Sequence, residues 1–297
     1  MSKVSTMSTA PGRPAADAGT RSSAPRPRWL TSGSRLTLMV VLAILFITPL
    51  LWMFATSLKT EADISKHPLS LFPEQWMFGN YDEAFTQISP FLWNSVKLAI
   101  VNVVGVLAIS SIAGYAFGRL TFPGRDLAFF LVLATSIIPG IVLLIPQYII
   151  FQRIGWIDTQ LPLWVPKVFT PVFGTFLLRQ AFMSLPKELE DAAKVDGVSV
   201  FGIYARIMLP QVKPALAAVA VFTFVESWND LFGPLIFINS TNLQTLPIAL
   251  AQFSGQYFST TNLLMAASAI TIIPVLLVYV LAQKYFVQGI ASSGLKG

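Results

Sequence analysis

Long apolar stretches separated by short polar segments dominate the pattern of this 297-residue chain. Six of them reach the roughly 20 residues that a helix needs to cross a hydrocarbon core about 30 Å thick. They are Leu36–Thr56, Leu92–Phe117, Leu127–Phe151, Leu161–Phe182, Val212–Phe237 and Leu263–Phe286. They lack period-2 alternation, and isolated apolar strands would leave backbone groups unpaired in lipid. The pattern therefore predicts an all-α integral membrane protein, with six transmembrane helices within residues 31–297.

Proline interrupts the third and fourth stretches. Each proline removes a backbone donor, so these helices are predicted to kink or break where neighbouring helices satisfy the freed carbonyls. The residues are Pro139, Pro146, Pro162, Pro166 and Pro171. Breaks at membrane depth suit a translocation path, and kinked packing explains them equally well.

Two segments between the stretches carry their own patterns. Leu58–Pro90 is rich in acidic residues, proline and glycine, and predicts an ordered external loop with a short helix around Tyr81–Gln87. Asn239–Asn262 contains no charged residue and is rich in Ser, Thr, Asn and Gln. Such a segment suits contact with a neutral hydroxylated ligand or its carrier, although a plain polar loop has the same composition.

Composition excludes several classes of protein. With 54% hydrophobic and 11% charged residues and a mean hydropathy of +0.66, the chain is not a soluble globular protein. It has no cysteine, so disulfides, thiolate metal sites and cysteine nucleophiles are excluded. The single histidine, His67, lies in a polar loop beside Pro68 and is interpreted as solvated rather than catalytic.

The distribution of Lys and Arg predicts the orientation in the membrane. Fifteen of these 20 residues fall on one side, and five lie on the opposite side or at the adjoining helix ends. The five are Lys59, Lys66, Lys97, Arg153 and Lys167. The positive-inside rule then places both termini and the loop 185–210 in the cytoplasm of a multi-pass cell-membrane protein. The basic pI near 9.6 follows this asymmetry and does not indicate nucleic-acid binding.

Residues 1–30 are rich in Ser, Thr, Ala, Pro and Arg and show no hydrophobic periodicity. Such a segment cannot bury enough apolar surface to order itself. It is predicted to be a disordered cytoplasmic tail.

A polar island from Leu185 to Pro214 stands between the fourth and fifth apolar stretches. It contains an acidic residue followed by two alanines, a glycine four residues later, and, after nine intervening residues, an Ile-x-Leu-Pro group. This spacing resembles the cytoplasmic signature loop of ABC-importer permeases, with Asp191 where that family usually has Glu. The residues implied in coupling are Glu188, Glu190, Asp191, Ala192, Ala193, Asp196, Gly197, Ile207, Leu209 and Pro210.

The resemblance extends over roughly residues 36–297, through short motifs in the same order as in that family. They include Ser57–Lys59, Asn80–Tyr81, Asn94–Ser95, Gly114–Phe117, Phe122–Gly124, Ile145–Pro146, Phe176–Gln180, Ser227–Asp230, Thr245–Pro247 and Gly294–Gly297. The chain is most similar to the smaller, six-helix permease of carbohydrate ABC importers of the maltose-transporter type, which have the type I importer fold. That resemblance implies a second permease subunit, a cytoplasmic ABC ATPase dimer and an extracellular sugar-binding protein as partners.

Local chemistry of the polar island predicts a rigid helix–turn–helix. Lys187–Val195 suits a short amphipathic helix with its acidic residues near the positive N-terminus. Gly197 can adopt the left-handed conformation that ends this helix, Ser199 can cap the next one, and Pro210 is predicted to stop it. The family resemblance implies that the first helix docks on the ATPase, with its carboxylates meeting basic residues there.

The sequence contains no phosphate-binding Gly-x4-Gly-Lys-Ser/Thr loop, so this chain is not expected to hydrolyse ATP itself. It is predicted not to be an enzyme and to bind no cofactor, and the resemblance implies that ATP and magnesium are held by the partner ATPase.

Polar residues within the apolar stretches are candidates for the translocation path. Glu226 and Asp230 are four residues apart, so a helix would place them on one face. Asn229 and Asn94 could offer hydrogen bonds, and Trp228 a stacking face. Hydrogen bonding between helices, or a position near the outer interface, accounts for the same residues.

Three functional hypotheses emerge from these patterns. The first is a permease subunit that moves a mono- to oligosaccharide in an ATP-driven importer. The second is a proton-coupled sugar transporter that uses Glu226 and Asp230 as a relay. The third is a membrane enzyme acting on lipid-linked sugars, which would need catalytic carboxylates or metal ligands near an interface.

Overall fold

The computed structural model describes residues 32–253 and 260–293, and within these ranges all regular structure is helical. The predicted tail at residues 1–30 and the motif Gly294–Gly297 lie outside the described residues. The helices are α1 Ser32–Ser57, α2 Glu61–Lys66, α3 Gly79–Arg119, α4 Arg125–Thr135, α5 Leu144–Arg153, α6 Leu161–Phe169, α7 Val172–Met183, α8 Glu188–Val195, α9 Val200–Gln211, α10 Lys213–Trp228, α11 Phe232–Phe237, α12 Leu246–Phe253 and α13 Thr261–Ser293.

Two compact units divide within α1, at Thr48 and Pro49. The described part of the first unit is the N-terminal portion of α1, whose apolar side chains from Leu36 to Ile47 are exposed. A helix that is apolar on all sides and exposed along its length is suited to a lipid environment. The second unit begins at Pro49 and contains all the other helices.

Helix length and hydropathy agree with the six predicted spans. Four segments without a sharp bend could cross a membrane: Gly33–Ser57, Gly79–Arg119, Leu161–Met183 and Thr261–Tyr285. Two helix pairs qualify as bent spans, with angles of 84° in Arg125–Arg153 and 79° in Val200–Trp228. Counting each bent pair as one span gives six. The all-α membrane fold is therefore confirmed.

The second span is longer than the sequence pattern predicted. Helix α3 begins at Gly79 and absorbs the segment Tyr81–Gln87, which was expected to be a separate short helix. Pro90 lies inside α3 and cannot donate to the carbonyl of Thr86, four residues earlier. The hydroxyl of Ser89 donates to that carbonyl at 3.3 Å. A local substitute for the lost hydrogen bond thus accompanies the continuous helix.

Helices α3 and α7 approach closely because small residues line their contact. A Cβ placed on Gly114 would lie 2.9 Å from the backbone nitrogen of Arg179, and one on Gly174 would lie 2.9 Å from the Ser110 side chain. Small residues at such contacts let helix backbones pack together in membranes. Around this contact lies a buried cluster that includes Tyr115, Leu178, Phe182, Tyr204 and Met208.

Prolines break the third and fourth spans at two of the five predicted positions. The chain leaves the helical path after α4, passes Pro139 and resumes through a 3₁₀ turn, Gly140–Leu143, into α5. The fourth span is interrupted at Thr170 and Pro171, between α6 and α7. Pro146 and Pro162 fall in first helical turns, where a missing donor costs little. Pro166 lies inside α6, which continues to Phe169, so a proline within a helix does not always break it.

The fifth predicted span also requires correction. Val212–Phe237 was expected to be one helix, but α10 ends at Trp228 and a separate short helix, α11, follows. Between them, the Asp230 carboxylate accepts a hydrogen bond from the Gly233 backbone N–H at 3.0 Å. An aspartate side chain can replace a helical carbonyl as the acceptor for a backbone N–H. Here this favours the end of α10 and the start of α11.

A buried lysine anchors the neighbouring ends of several helices. Lys59 is fully buried, and its ammonium donates to the carbonyls of His67 at 3.0 Å and Ser70 at 2.6 Å. The amide of Asn80 donates to the carbonyls of Ser57 and Lys59, and that of Asn262 also reaches the Lys59 carbonyl. The segment that joins α1 to α2 is thereby fixed to the starts of α3 and α13.

Candidate coupling surface and transport cleft

The predicted end of the helix in the polar island is confirmed. Gly197 has φ +74°, and its N–H donates to the Lys194 carbonyl at 3.0 Å. The N–H of Val198 donates to the Ala193 carbonyl, also at 3.0 Å. These two bonds form a Schellman motif, which satisfies the last carbonyls of α8 and turns the chain sharply.

The second arm of the turn begins as predicted and ends differently. The Ser199 hydroxyl caps α9 by accepting from the Gly202 N–H at 3.2 Å. The helix was expected to stop at Pro210, but it runs on to Gln211 and then bends by 79° into α10. Its middle, Ile203–Met208, is a π-helical turn. Ile207 and Leu209 are half-buried and Pro210 is exposed.

One face of α8 packs against its own chain. Ala193 and Glu190 are buried, and the Glu190 carboxylate lies 3.4 Å from Arg119 Nε at the end of α3. Arg119 also donates to the carbonyls of Phe182 and Leu185. The family resemblance implies that the acidic residues of this helix contact a partner protein. Glu190 instead forms an ion pair within the chain and fastens α8 to the membrane helices.

The opposite face of this helix–turn–helix is open. Its members are exposed side chains of α8, the turn and the start of α9, and we call them the coupling surface. They are Glu188, Leu189, Asp191, Ala192, Val195, Asp196, Val200 and Phe201. Val195 is 88% exposed and Phe201 72% exposed, an unusual state for large apolar side chains outside lipid. Exposed apolar groups flanked by carboxylates are a chemistry suited to protein contact.

A cleft of about 780 Å³ opens between α3, α5, α6, α7, α10 and α11. We call it the transport cleft. Glu226 and Asp230 both line it, but not through the shared helix face that their spacing predicted. Asp230 lies beyond the end of α10, so the two side chains meet the same space from two elements rather than from one helix face.

Lys167 on α6 also lines the cleft, although the sequence pattern was used only to predict its side of the membrane. Its ammonium lies 3.2 Å from the Glu226 carboxylate, with the lysine side chain 20% and the glutamate side chain 68% exposed. A lysine six residues into an apolar stretch was the available signal, since such a charge needs a partner at membrane depth. That partner is 59 residues further along the chain.

The other three predicted path residues do not line the cleft. Asn94 is buried, and its amide donates to the carbonyls of Asn242 and Gln244 at 2.8 and 2.9 Å. Trp228 is 4% exposed and stacks on Phe224 in a core cluster, because its large apolar ring gains most from burial. Asn229 is exposed and donates back to the Val225 carbonyl. These side chains hold the fold in place.

An aspartate joins the segment that precedes α6 to the segment that follows α11. Asp158, with φ +62°, donates its N–H to the Phe237 carbonyl at 2.8 Å. Its carboxylate accepts from the Ser240 hydroxyl and from the N–H groups of Ser240 and Asn239. The Ser240 hydroxyl, followed by these backbone donors, holds the pKa of Asp158 below its usual range. These hydrogen bonds connect the two segments at one end of the cleft wall.

The described parts of the chain contain no cluster of potential metal ligands. Within residues 32–253 and 260–293, no group of three or more His, Asp or Glu side chains could hold an ion. The acidic residues there serve as helix caps, ion pairs and exposed charges.

Comparison with known proteins gives a consistent result. The permease protein AraQ of the arabinooligosaccharide transport system of Halalkalibacterium halodurans is 34% identical over 261 residues, covering 86% of this chain and 93% of that protein. The probable ABC transporter permease protein YurM of Bacillus subtilis is 35% identical over 276 residues, covering 92% of each.

Among solved structures, a bacterial ABC transporter involved in the import of the acidic polysaccharide alginate shares the fold. It superposes with a TM-score of 0.71 at 22% identity, over 87% of this chain and 99% of that one. Residues 107–292, which contain the coupling surface and most of the transport cleft, match the family described as binding-protein-dependent transport system inner membrane component. The chain belongs to that family, the permease subunits of ABC importers.

Proposed function

We propose that this chain is the permease subunit of an ATP-driven importer that moves a carbohydrate delivered by an extracellular binding protein. The carbohydrate is inferred from the similarity to the arabinooligosaccharide permease and from the mixture of polar and aromatic side chains in the transport cleft. No residue arrangement favours the proton-coupled or the lipid-linked-sugar alternative.

One observation supports the mechanism above all. The coupling surface and the transport cleft belong to consecutive elements: α8 is locked to α9 by the Gly197 turn, and α9 continues through the bend at Val212 into α10. Helix α10 carries Glu226 into the cleft. A push on the coupling surface would therefore be transmitted through hydrogen-bonded turns to a cleft wall, as rigid-body switching requires.

The partner on the coupling surface is proposed to be a cytoplasmic ABC ATPase subunit. Val195 and Phe201 would enter an apolar groove, while Glu188, Asp191 and Asp196 would meet basic residues around it. Ala192, exposed and small, permits close approach of the two backbones. ATP and magnesium would be bound by that ATPase dimer, and this chain would itself be neither enzyme nor cofactor-binding.

The remaining partners follow from the same proposal. A second, different permease subunit would complete the translocation path, and both termini of this chain would be cytoplasmic according to the Lys and Arg asymmetry. The binding protein would approach from the opposite side, where Lys59, Asn80 and Asn262 fix the helix ends.

The energy source tests the proposal. Membrane vesicles loaded with ATP and carrying the complete importer should take up sugar, and collapse of the proton gradient with a protonophore should leave that uptake in place. The variant Asp230→Asn removes a titratable charge but keeps size and hydrogen-bonding ability. Its remaining uptake should show the same dependence on ATP and the same resistance to the protonophore.

A proton-coupled carrier would behave in the opposite way. Its uptake would stop when the gradient is collapsed, would not need ATP, and would be abolished in Asp230→Asn. Either of the first two results in the wild-type vesicles would refute the proposed importer.

A further inference from the structure

The side chains that line the transport cleft carry more negative than positive formal charge. Among the described lining residues, one is cationic, Lys167, and two are anionic, Glu226 and Asp230. One positive and two negative formal charges give this wall of the cleft a net charge of −1. The imbalance matters because a charge on a ligand that entered the cleft would come close to these three groups, and charges near a protein surface interact more strongly than in bulk water.

The single cation is already engaged. The Lys167 ammonium lies 3.2 Å from the Glu226 carboxylate, and its side chain is largely buried. A carboxylate or phosphate on a ligand would have to compete with Glu226 for this ammonium. The same ligand would also approach the Asp230 carboxylate, which accepts a hydrogen bond from the Gly233 N–H.

The rest of the wall suits an uncharged sugar. Gln147, Thr170 and Thr223 line the cleft with groups that exchange hydrogen bonds with hydroxyls. Phe173 and Phe222 meet edge to face at 5.3 Å and present apolar surface to the same space. A sugar ring has both an apolar face and a rim of hydroxyls, so these two kinds of surface fit it without any ligand charge.

We propose that this subunit's part of the path selects uncharged carbohydrates, and that the Lys167–Glu226 ion pair is the element that disfavours acidic ones. The inference rests on the proposed function and adds the charge class of the substrate. Free of Glu226, Lys167 would offer an unpaired ammonium to an anionic sugar. Without Lys167, two carboxylates would remain and would repel an anionic sugar further.

Binding to the membrane complex provides the test, because an extracellular binding protein would filter the sugars before they arrived. The complete importer, permeases with ATPase, is placed in lipid nanodiscs without the binding protein. Radiolabelled neutral trisaccharides (maltotriose, cellotriose, xylotriose and arabinotriose) and acidic ones (trigalacturonate and trimannuronate) are then compared by equilibrium dialysis. We expect the acidic sugars to bind at least about tenfold more weakly than the best neutral one.

Three variants separate specificity from a general structural effect. Glu226→Gln should reduce the neutral-to-acidic ratio by about tenfold, whereas Lys167→Met should increase it. Glu83→Gln, an equivalent change on the exposed outer part of α3, serves as the control and should leave the ratio as in the wild type. A helix-packing role alone would weaken the binding of all sugars together and would leave the ratio unchanged.

Three results would overturn the inference: an acidic trisaccharide that binds as tightly as the best neutral one, a Glu226→Gln ratio equal to that of the wild type, or a complex that binds none of the sugars. Failure of the proposed function would look different. In that case, uptake of every sugar in the set by intact cells would be the same with and without this chain.

Discussion

Individual residues of α8 serve two different purposes. Their positions in the sequence do not show which residue serves which purpose. Glu188 and Glu190 are two residues apart in one acidic run, yet the first is exposed and the second is buried beside Arg119. Helical periodicity separates their directions, but it does not say which direction holds an arginine. That contact joins positions 119 and 190, and only the folded chain brings them together.

Glu190→Gln should destabilise the protein by about 1–3 kcal/mol, because Arg119 would lose the charge that faces it in a buried site. The melting temperature of the purified protein in detergent should fall by several degrees. Glu188→Gln is the matched control, since that side chain is exposed and its change should stay within about 0.5 kcal/mol. Equal melting temperatures for both variants would refute the anchoring role of Glu190.

Gly197→Pro should insert normally and lose transport. Proline fixes φ near −65° and has no N–H, whereas Gly197 has φ +74° and donates to Lys194. The change would distort the turn that joins α8 to α9 without touching the spans. The measurement is sugar uptake together with the amount of inserted protein.

Gly155 offers a control with similar backbone geometry on the opposite side of the membrane. It has φ +73°, and its N–H donates to Gln152. Gly155→Pro imposes the same local strain away from the coupling surface. Uptake by Gly197→Pro that equals uptake by Gly155→Pro would contradict a specific coupling role for the Gly197 turn.

Whole helices differ in how well the sequence predicted them. The turn at Gly197 and the Ser199 cap depend on contacts within five residues, so residue type alone was sufficient. The helix α3 continues through Pro90, where the Ser89 hydroxyl donates to the carbonyl that the proline leaves free, a compensation that proline rules do not include. The end of α10 at Trp228 depends on Asp230, which hydropathy counted only as a polar interruption.

The packing of α3 against α7 gives a prediction at this scale. Gly114→Ala should destabilise the protein by about 1–3 kcal/mol, because the new Cβ would lie 2.9 Å from the Arg179 backbone nitrogen and the helices would have to separate. Gly79→Ala, also in α3, meets nothing within 4 Å and should be neutral or slightly stabilising. Thermal unfolding in detergent compares the two. A Gly114→Ala protein as stable as Gly79→Ala would show that the helices are not held by close approach.

At the scale of the whole molecule, the sequence predicts the membrane spans well and the residues that line the cleft only in part. Hydropathy identified six apolar segments because lipid imposes their length and composition on the chain directly. The transport cleft was only half predicted. The sequence indicates Glu226 and Asp230 as charges within an apolar stretch. It does not show that Lys167 pairs with Glu226, because the two residues lie on different helices. Trp228 was misplaced, since hydropathy does not show which side of a helix faces the core.

Membrane orientation is the prediction at the scale of the molecule. Single cysteines at Ser22 and Thr86 in this naturally cysteine-free chain should label oppositely with a membrane-impermeant thiol reagent. In intact cells only Thr86→Cys should react, because the Lys and Arg asymmetry places residue 22 in the cytoplasm. Permeabilised cells provide the control, in which both positions should react. Labelling of Ser22→Cys in intact cells would invert the topology.

The π-helical turn in α9 sets how the molecule responds to deletions at one place. A π turn contains an additional residue relative to an α-helical turn, and in Ile203–Met208 it directs Ile203, Tyr204 and Met208 into the core. Because the turn takes up that residue locally, deletion of one residue there would give an ordinary α-helix whose two ends keep nearly the same relative direction. A second deletion would have no such reserve and would rotate the C-terminal end of α9 by about 100° relative to its start. The turn therefore lets α9 tolerate the loss of one residue at this place but not of two.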